Sequence, residues 1–109
     1  MEKVLPEVAR IHDAGIAHGD LNLRNLYLLS GTTGFIDLDS ATCNSAPLDI
    51  PTREKELARL LSGFLRIPAF KTMDVDESVA ATTAAYREYS GVLCSKSNII
   101  QRTNYLISR

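Results

Sequence analysis

His18-Gly19-Asp20-Leu21-Asn22-Leu23-Arg24-Asn25 opens the stretch on which the fold turns. It continues through Leu26-Tyr27-Leu28-Leu29, a Ser30-Gly31-Thr32-Thr33-Gly34 turn, and Phe35-Ile36-Asp37-Leu38-Asp39-Ser40-Ala41. An Asp is followed five residues later by an Asn, then by two short apolar runs around a turn, then by Ile-Asp. The runs Leu26 to Leu29 and Gly34 to Leu38 predict a β-hairpin closed by the short Ser30 to Thr33 link. Such a hairpin carries Asn25, before its first strand, back beside Asp37, at the end of its second. Turn and capping roles account for isolated Asp and Asn residues. They do not account for His18, the hairpin and Ile36 fitting the same arrangement.

Phosphoryl transfer explains the spacing. It needs a carboxylate to orient the attacking hydroxyl and accept its proton, a role open to Asp20. It also needs oxygen ligands for Mg2+, which bridges nucleotide phosphates and neutralises developing charge. Asn25 offers a neutral amide oxygen and Asp37 an ionised one.

The stretch resembles the C-terminal lobe of the protein-kinase-like fold, whose catalytic loops read H-R-D-x-x-x-x-N with a D-F-G downstream. Gly19 stands where that loop has Arg, and Asp37-Leu38-Asp39 stands in place of D-F-G. Within the fold the chain is most similar to the bacterial lipopolysaccharide kinases, which phosphorylate Kdo or heptose of the inner core. Those enzymes have Asp-Leu-Asn, as at Asp20-Leu21-Asn22, and Ile-Asp-Phe-Asp, where this chain has Ile36-Asp37-Leu38-Asp39. Asn22 and Asp39 carry that distinction. Small-molecule kinases of the aminoglycoside and fructosamine type also use a His-Gly-Asp-Leu loop.

The resemblance implies ATP as phosphate donor, Mg2+ as cofactor and a sugar hydroxyl of the lipopolysaccharide inner core as acceptor. Another small-molecule acceptor is the alternative. Asp20 would be the catalytic base, Asn25 and Asp37 the metal ligands, His18 the residue structuring the loop, and Asn22 and Asp39 auxiliary contacts. A cytoplasmic protein is implied, with peripheral contact at the inner face of the membrane.

At 109 residues the chain is read as one domain, too small for a complete two-lobed kinase. Residues 1–15 form the helix before the loop, 16–41 the catalytic and metal-binding segment, and 52–109 a helical subdomain. No Gly-rich loop, strand lysine or partner-Glu helix precedes His18, and neither Lys3 nor Lys55 has a strand context. The expected fold is therefore α+β and mainly helical, a kinase-like C-lobe with the N-lobe absent. The contrasting reading is a catalytically silent kinase-like binding module or fragment, self-associating through the exposed lobe surface.

A net charge of −1 supplies no basic field for nucleic acid. No apolar run approaches the roughly 20 residues of a membrane span, and the first residues resemble neither a signal nor a transit peptide. Cys43 and Cys94 form no close-spaced ligand motif. They read as reduced cytosolic thiols, with a single disulfide the alternative.

Periodicity places the first helix at about 3 to 14, with Gly15 at its C-cap and His12 in a packing or capping role. Residues 40 to 52 read as irregular, with Cys43 and Asp49 as loop residues. Thr52 is the expected cap of a helix from Arg53 to about Arg66, with Glu54 and Glu56 near its positive end. Leu57, Leu60, Leu61, Phe64 and Leu65 form its apolar face. Arg59 reads as a solvated helix-face residue, ahead of a contact to an anionic sugar. A third helix starts at Asp74 or Asp76 and reaches about Ser90, with Val79, Thr83, Tyr86 and Tyr89 on one side. A last one covers about Ser97 to Ser108, burying Ile99, Ile100, Leu106 and Ile107.

Overall fold

The computed structural model describes residues 3–109. Four α-helices carry about half of the chain: α1 (Leu5–Asp13), α2 (Ile50–Leu65), α3 (Val75–Ser90) and α4 (Lys96–Ser108). Between α1 and α2 run four short strands, β1 (Ile16–Ala17), β2 (Leu26–Leu29), β3 (Thr32–Phe35) and β4 (Thr42–Cys43). β2 and β3 form one antiparallel pair and β1 and β4 another. The architecture is α+β and mainly helical.

α1 starts at Leu5 because Pro6 has no N–H to donate and fits only the first turn. Leu5, Val8, Ala9 and His12 recur at helical spacing and are buried, and this face packs on α3. α2 is the central element, packed on α4 and touching α3 and β1. It begins at Ile50, not Arg53, because the N-cap is Asp49 and not Thr52. The Asp49 carboxylate accepts the Thr52 N–H at 2.9 Å, and Pro51 occupies the first turn, where its missing N–H costs nothing. Leu57, Ala58, Leu60, Leu61 and Leu65 are buried. So are Arg53, Glu54 and Glu56 from the first two turns, which makes α2 buried on more than one face.

The hairpin closes earlier than its apolar pattern suggests. Leu29 pairs with Thr32 across a two-residue turn, in which Ser30 and Gly31 have φ of +52° and +78°. Positive φ at both central positions gives the twist that two-residue hairpins need. Thr32 and Thr33 therefore lie in the strand, and the ladder ends at Leu26 opposite Phe35. One further bond, from the Ile36 N–H to the Asn25 carbonyl at 2.9 Å, continues the pairing. Asp37 and Leu38 lie past the strand.

The 40 to 52 stretch is less irregular than its Asn, Ser and Pro content implies. Thr42 pairs with Ala17 and Cys43 with Ile16, and the Asn44 N–H bonds the Gly15 carbonyl at 2.8 Å. This second sheet fastens the segment after Asp37 behind the start of the His18 loop.

Asp74 caps α3 through the Glu77 N–H at 3.0 Å. Val79, Thr82, Thr83 and Tyr86 are buried in α3, whereas Tyr89 is 49% exposed and leaves the expected apolar side. In α4 the buried residues are Ile99, Thr103 and Leu106, with Ile100 and Ile107 half-buried. Cys43 is exposed and Cys94 buried, and neither is in a disulfide. Among the described residues no helix is long and apolar enough to cross a membrane.

Candidate active site

β1 delivers the chain into a loop whose backbone is held from inside the fold. His18 is fully buried. Its Nε2–H donates to the Ile36 carbonyl at 2.9 Å, while its Nδ1 accepts the Asp20 N–H at 3.2 Å. One ring thus ties the loop to the residue before Asp37 and sets the direction of Asp20.

Gly19 lies at φ +89°, and a Cβ there would meet the Ser40 carbonyl oxygen at 2.2 Å. Any side chain, including an Arg, would push against backbone that the β1–β4 pairing holds in place. Gly19→Ala is expected to cost about 1–3 kcal/mol from the left-handed backbone, with the Ser40 clash added. A urea denaturation midpoint for the variant checks this.

Asp20 and Asn25 are joined directly. The Asn25 Nδ2 donates to the Asp20 carbonyl at 2.7 Å and reaches the Asp20 Oδ2 only at 3.4 Å. The other carboxylate oxygen is heavily used. Asp20 Oδ1 accepts Arg59 Nη2 at 2.7 Å, Arg59 Nε at 3.1 Å and Asn22 Nδ2 at 3.0 Å. Asn22 in turn accepts the Arg24 N–H at 2.9 Å, capping the short turn that presents Asn25. Three donors on Oδ1 leave Oδ2 as the Asp20 atom with lone pairs to offer.

Asp37 sits at φ +58°, ψ +69°, a left-handed conformation costing an ordinary side chain roughly 1–2 kcal/mol. Its side chain is exposed and caps no turn. Asp39, in the turn Leu38–Ser40, is exposed as well. Among the described residues neither enters an ion pair, and no group of three His, Cys, Asp or Glu residues lies close enough to hold a metal ion.

Residues 1–86 match the lipopolysaccharide kinase (Kdo/WaaP) family. The chain belongs to that family. It is 37% identical over 84 residues to the 3-deoxy-D-manno-octulosonic acid kinase of Xanthomonas campestris pv. campestris strain B100. The same figures hold for the proteins of that name in strains 8004 and ATCC 33913. Each match covers 72% of this chain and 32% of the relative, so the chain spans about a third of the length of those proteins. The matched segment contains Asp20, Asn25, Asp37 and the whole of α1, α2 and both sheets, whereas α4 lies beyond it.

In this Kdo/WaaP-family chain the loop rests on a buried polar column that the sequence did not reveal. Glu56, read as a first-turn charge, is 6% exposed. It accepts the His18 N–H at 3.0 Å, the Gly19 N–H at 2.8 Å and His12 Nε2 at 2.9 Å. His12 Nδ1 faces the Tyr86 hydroxyl at 2.8 Å, and that oxygen lies 3.0 Å from Arg53 Nη1. With Arg53 donating to Tyr86, Tyr86 to His12 Nδ1, and His12 Nε2–H to Glu56, every group has its complement. Arg53 also bonds Asp13, Ser90 and the Leu48 carbonyl, each at 2.8 Å. α1, α2 and α3 are thereby joined under the loop. Burial pushes the Glu56 carboxyl up, but its three donors outweigh burial and hold it below the ordinary value. Burial pushes Tyr86 up to about 12.

Arg59 is the second correction. It is half-exposed on the helix face and pairs with Asp20, and its hydrogen bond holds the Asp20 carboxyl below the usual range. Arg59→Ala is expected to raise the Asp20 pKa, since burial, which opposes the shift, stays in place. Carbon-detected NMR titration of the side-chain carboxyl checks the direction.

Proposed function

We propose that this chain supplies the catalytic loop and metal-binding floor of a kinase-like C-lobe. In this reading the complete enzyme moves the γ-phosphate of ATP to a sugar hydroxyl of the lipopolysaccharide inner core, at the cytoplasmic face of the membrane. The observation that carries it is the asymmetry of the Asp20 carboxylate, with Oδ1 saturated by Arg59 and Asn22 and Oδ2 meeting only the Asn25 amide at 3.4 Å. Membership of the Kdo/WaaP family and the name of the Xanthomonas relatives support the reaction class and the acceptor.

The donor set fits Mg2+. This ion takes hard oxygen ligands and is bound by one or two carboxylates together with substrate phosphates, not by an all-protein cage. Asn25, whose Nδ2 is already engaged, has Oδ1 to offer, and Asp37 an exposed carboxylate. These two residues would hold the ion. When bound, it neutralises charge on the phosphates. The strained backbone at Asp37 is consistent with a residue kept for a ligand and not for the fold.

The chain's own residues do the rest. Asp20 Oδ2 accepts the proton of the acceptor hydroxyl as its oxygen forms the new bond to phosphorus and ADP departs. Arg59 and Asn22 hold the carboxylate by its other oxygen, Oδ1, and so leave this one for the proton. The Arg59 hydrogen bond holds the Asp20 carboxyl below its ordinary value, so it is ionised and able to accept.

The test is calorimetric titration of the 109-residue chain with Mg2+ and a non-hydrolysable ATP analogue. These residues include no Gly-rich loop or strand lysine to clamp the phosphates. Losing two or three charge-assisted bonds, roughly 1.5–3 kcal/mol each, weakens a micromolar site about a thousandfold. Weak, Mg2+-dependent binding that Asp37→Ala removes is expected. Low-micromolar saturable binding by a monomer, or binding indifferent to Asp37, contradicts the proposal.

A further inference from the structure

Beside Asp20, α2 and α4 line a cleft of about 550 Å3 to which Gly19, Asp20 and Leu21 of the loop also contribute. Its lining holds four cationic side chains, Lys55 and Arg59 from α2 and Arg102 and Arg109 from α4 or its end, against two side-chain carboxylates, Asp20 and Glu56. Both carboxylates are already committed. Asp20 is paired with Arg59, and Glu56 is consumed by His12 and the loop amides. Lys55, Arg102 and Arg109 enter no ion pair among the described residues. Three cations outside any ion pair therefore share one opening, in a chain whose net charge is −1. Like charges gathered in a concave site with a low-dielectric wall repel one another and focus a positive potential into it. That potential lies beside the carboxylate at which the hydroxyl is proposed to react.

We propose that Lys55 and Arg102 bind an anionic group of the acceptor, a carboxylate or phosphate on the sugar, and so turn its hydroxyl toward Asp20 Oδ2. The orienting part of this statement rests on the kinase reading; the anion site itself does not. Arg102 is suited to the work because a guanidinium presents a planar fork that matches two anionic oxygens at once. Both residues are exposed on helices with other faces in the core, so the backbone that carries them is fixed and no loop has to move. Tyr105, also exposed and lining the cleft, has the Arg109 guanidinium 5.8 Å from its ring centre, and its free face offers a platform for the sugar ring. Arg102 and Tyr105 lie outside the family-matched segment of residues 1–86. Acceptor selection would then reside in α4, separate from the shared loop.

The test is an NMR amide titration of the 109-residue chain with 3-deoxy-D-manno-octulosonic acid, its methyl ester, a neutral hexose and the corresponding hexose phosphate. Shifts at Gly19, Lys55 and Arg102 are expected with an acidic sugar and not with the ester or the neutral hexose. A response to the sugar acid alone assigns the anion as a carboxylate, and one to the hexose phosphate alone assigns it as a phosphate. Lys55→Gln and Arg102→Gln should each weaken binding about tenfold, the effect of one lost charge-assisted contact, and Arg102→Lys should recover part of it. Unchanged urea midpoints would show that these variants fold. Equal binding of acid and ester, or full affinity in the Lys55→Gln/Arg102→Gln double variant, overturns the site. So does displacement of the sugar acid by the ATP analogue without Mg2+, which would make the cleft a triphosphate site. Sugar-acid binding without any Asp37-dependent Mg-nucleotide binding would retire the kinase reading and leave the anion site standing. The reverse pattern would retire the anion site alone.

Discussion

Glu56→Ala is expected to destabilise the fold by about 3 kcal/mol or more. Two buried donors, the His18 amide and His12 Nε2, would lose their acceptor together with the part-buried Gly19 amide, and each buried polar group left unpaired costs roughly 1–3 kcal/mol. Against a total stability of about 5–15 kcal/mol for a domain of this size, the variant would fold marginally and lose the loop geometry first. Glu56→Gln should fall between, since one amide oxygen replaces two carboxylate oxygens and its NH2 faces other donors. Urea denaturation followed by circular dichroism measures both. The same residue sets the acid limit of the fold. Its folded pKa lies below its unfolded value, ordinarily 4.5, so its contribution is present above that value and is lost as pH falls through the folded one. The wild-type urea midpoint should therefore drop below about pH 4.5, and the drop should be smaller in Glu56→Gln, which has no proton to take up.

Asp37→Ala is expected to abolish Mg-nucleotide-dependent turnover while leaving the fold intact. The side chain is exposed, caps no turn and enters no ion pair among the described residues, so little stability is at stake. Removing the strained Asp from its left-handed backbone does not relieve the strain, because Ala is no better suited to φ +58°. Under the proposed reading the loss is that of the one charged metal ligand. The measurement is phosphate transfer by a chimaera in which residues 1–86 of this chain replace the matching segment of the Xanthomonas relative. An Asp37→Ala chimaera with unchanged turnover and unchanged Mg2+ dependence would remove Asp37 from the site.

Much of the architecture was legible where local pattern decides it. The apolar stripes of α1 and α2 and the end of α3 at Ser90 follow from side-chain spacing, and of the two starts offered for α3 the structure uses the Asp74 cap. The hairpin was legible as a hairpin but not in register, because Thr32 and Thr33 read as turn residues while φ at Ser30 and Gly31 decides where the chain reverses. The β1–β4 pairing was not legible at all. Strands of two residues carry no alternation, and their partners lie 25 or more positions apart. The polar support of the loop was missed for a different reason. Charged residues near a helix N-terminus suggest interaction with the helix dipole and exposure to solvent. Yet Arg53, Glu56, Leu57 and Leu60 fall at i, i+3, i+4 and i+7, on one stripe with two core leucines. That spacing was the available signal that Arg53 and Glu56 point inward. Arg59 had no such signal, since its pairing with Asp20 spans 39 positions and depends on how the loop docks.

The most direct test of the account is the kinetics of Asp20→Ala in the same chimaera, with ATP as donor and 3-deoxy-D-manno-octulosonic acid as acceptor. Asp20 touches no proposed nucleotide ligand except through Asn25, and the role given to its Oδ2 is exercised only as the hydroxyl loses its proton. The account predicts that kcat falls by about 10²–10⁴ while the KM for Mg-ATP stays close to that of the unsubstituted chimaera. A variant that keeps kcat and raises only the nucleotide KM would contradict it.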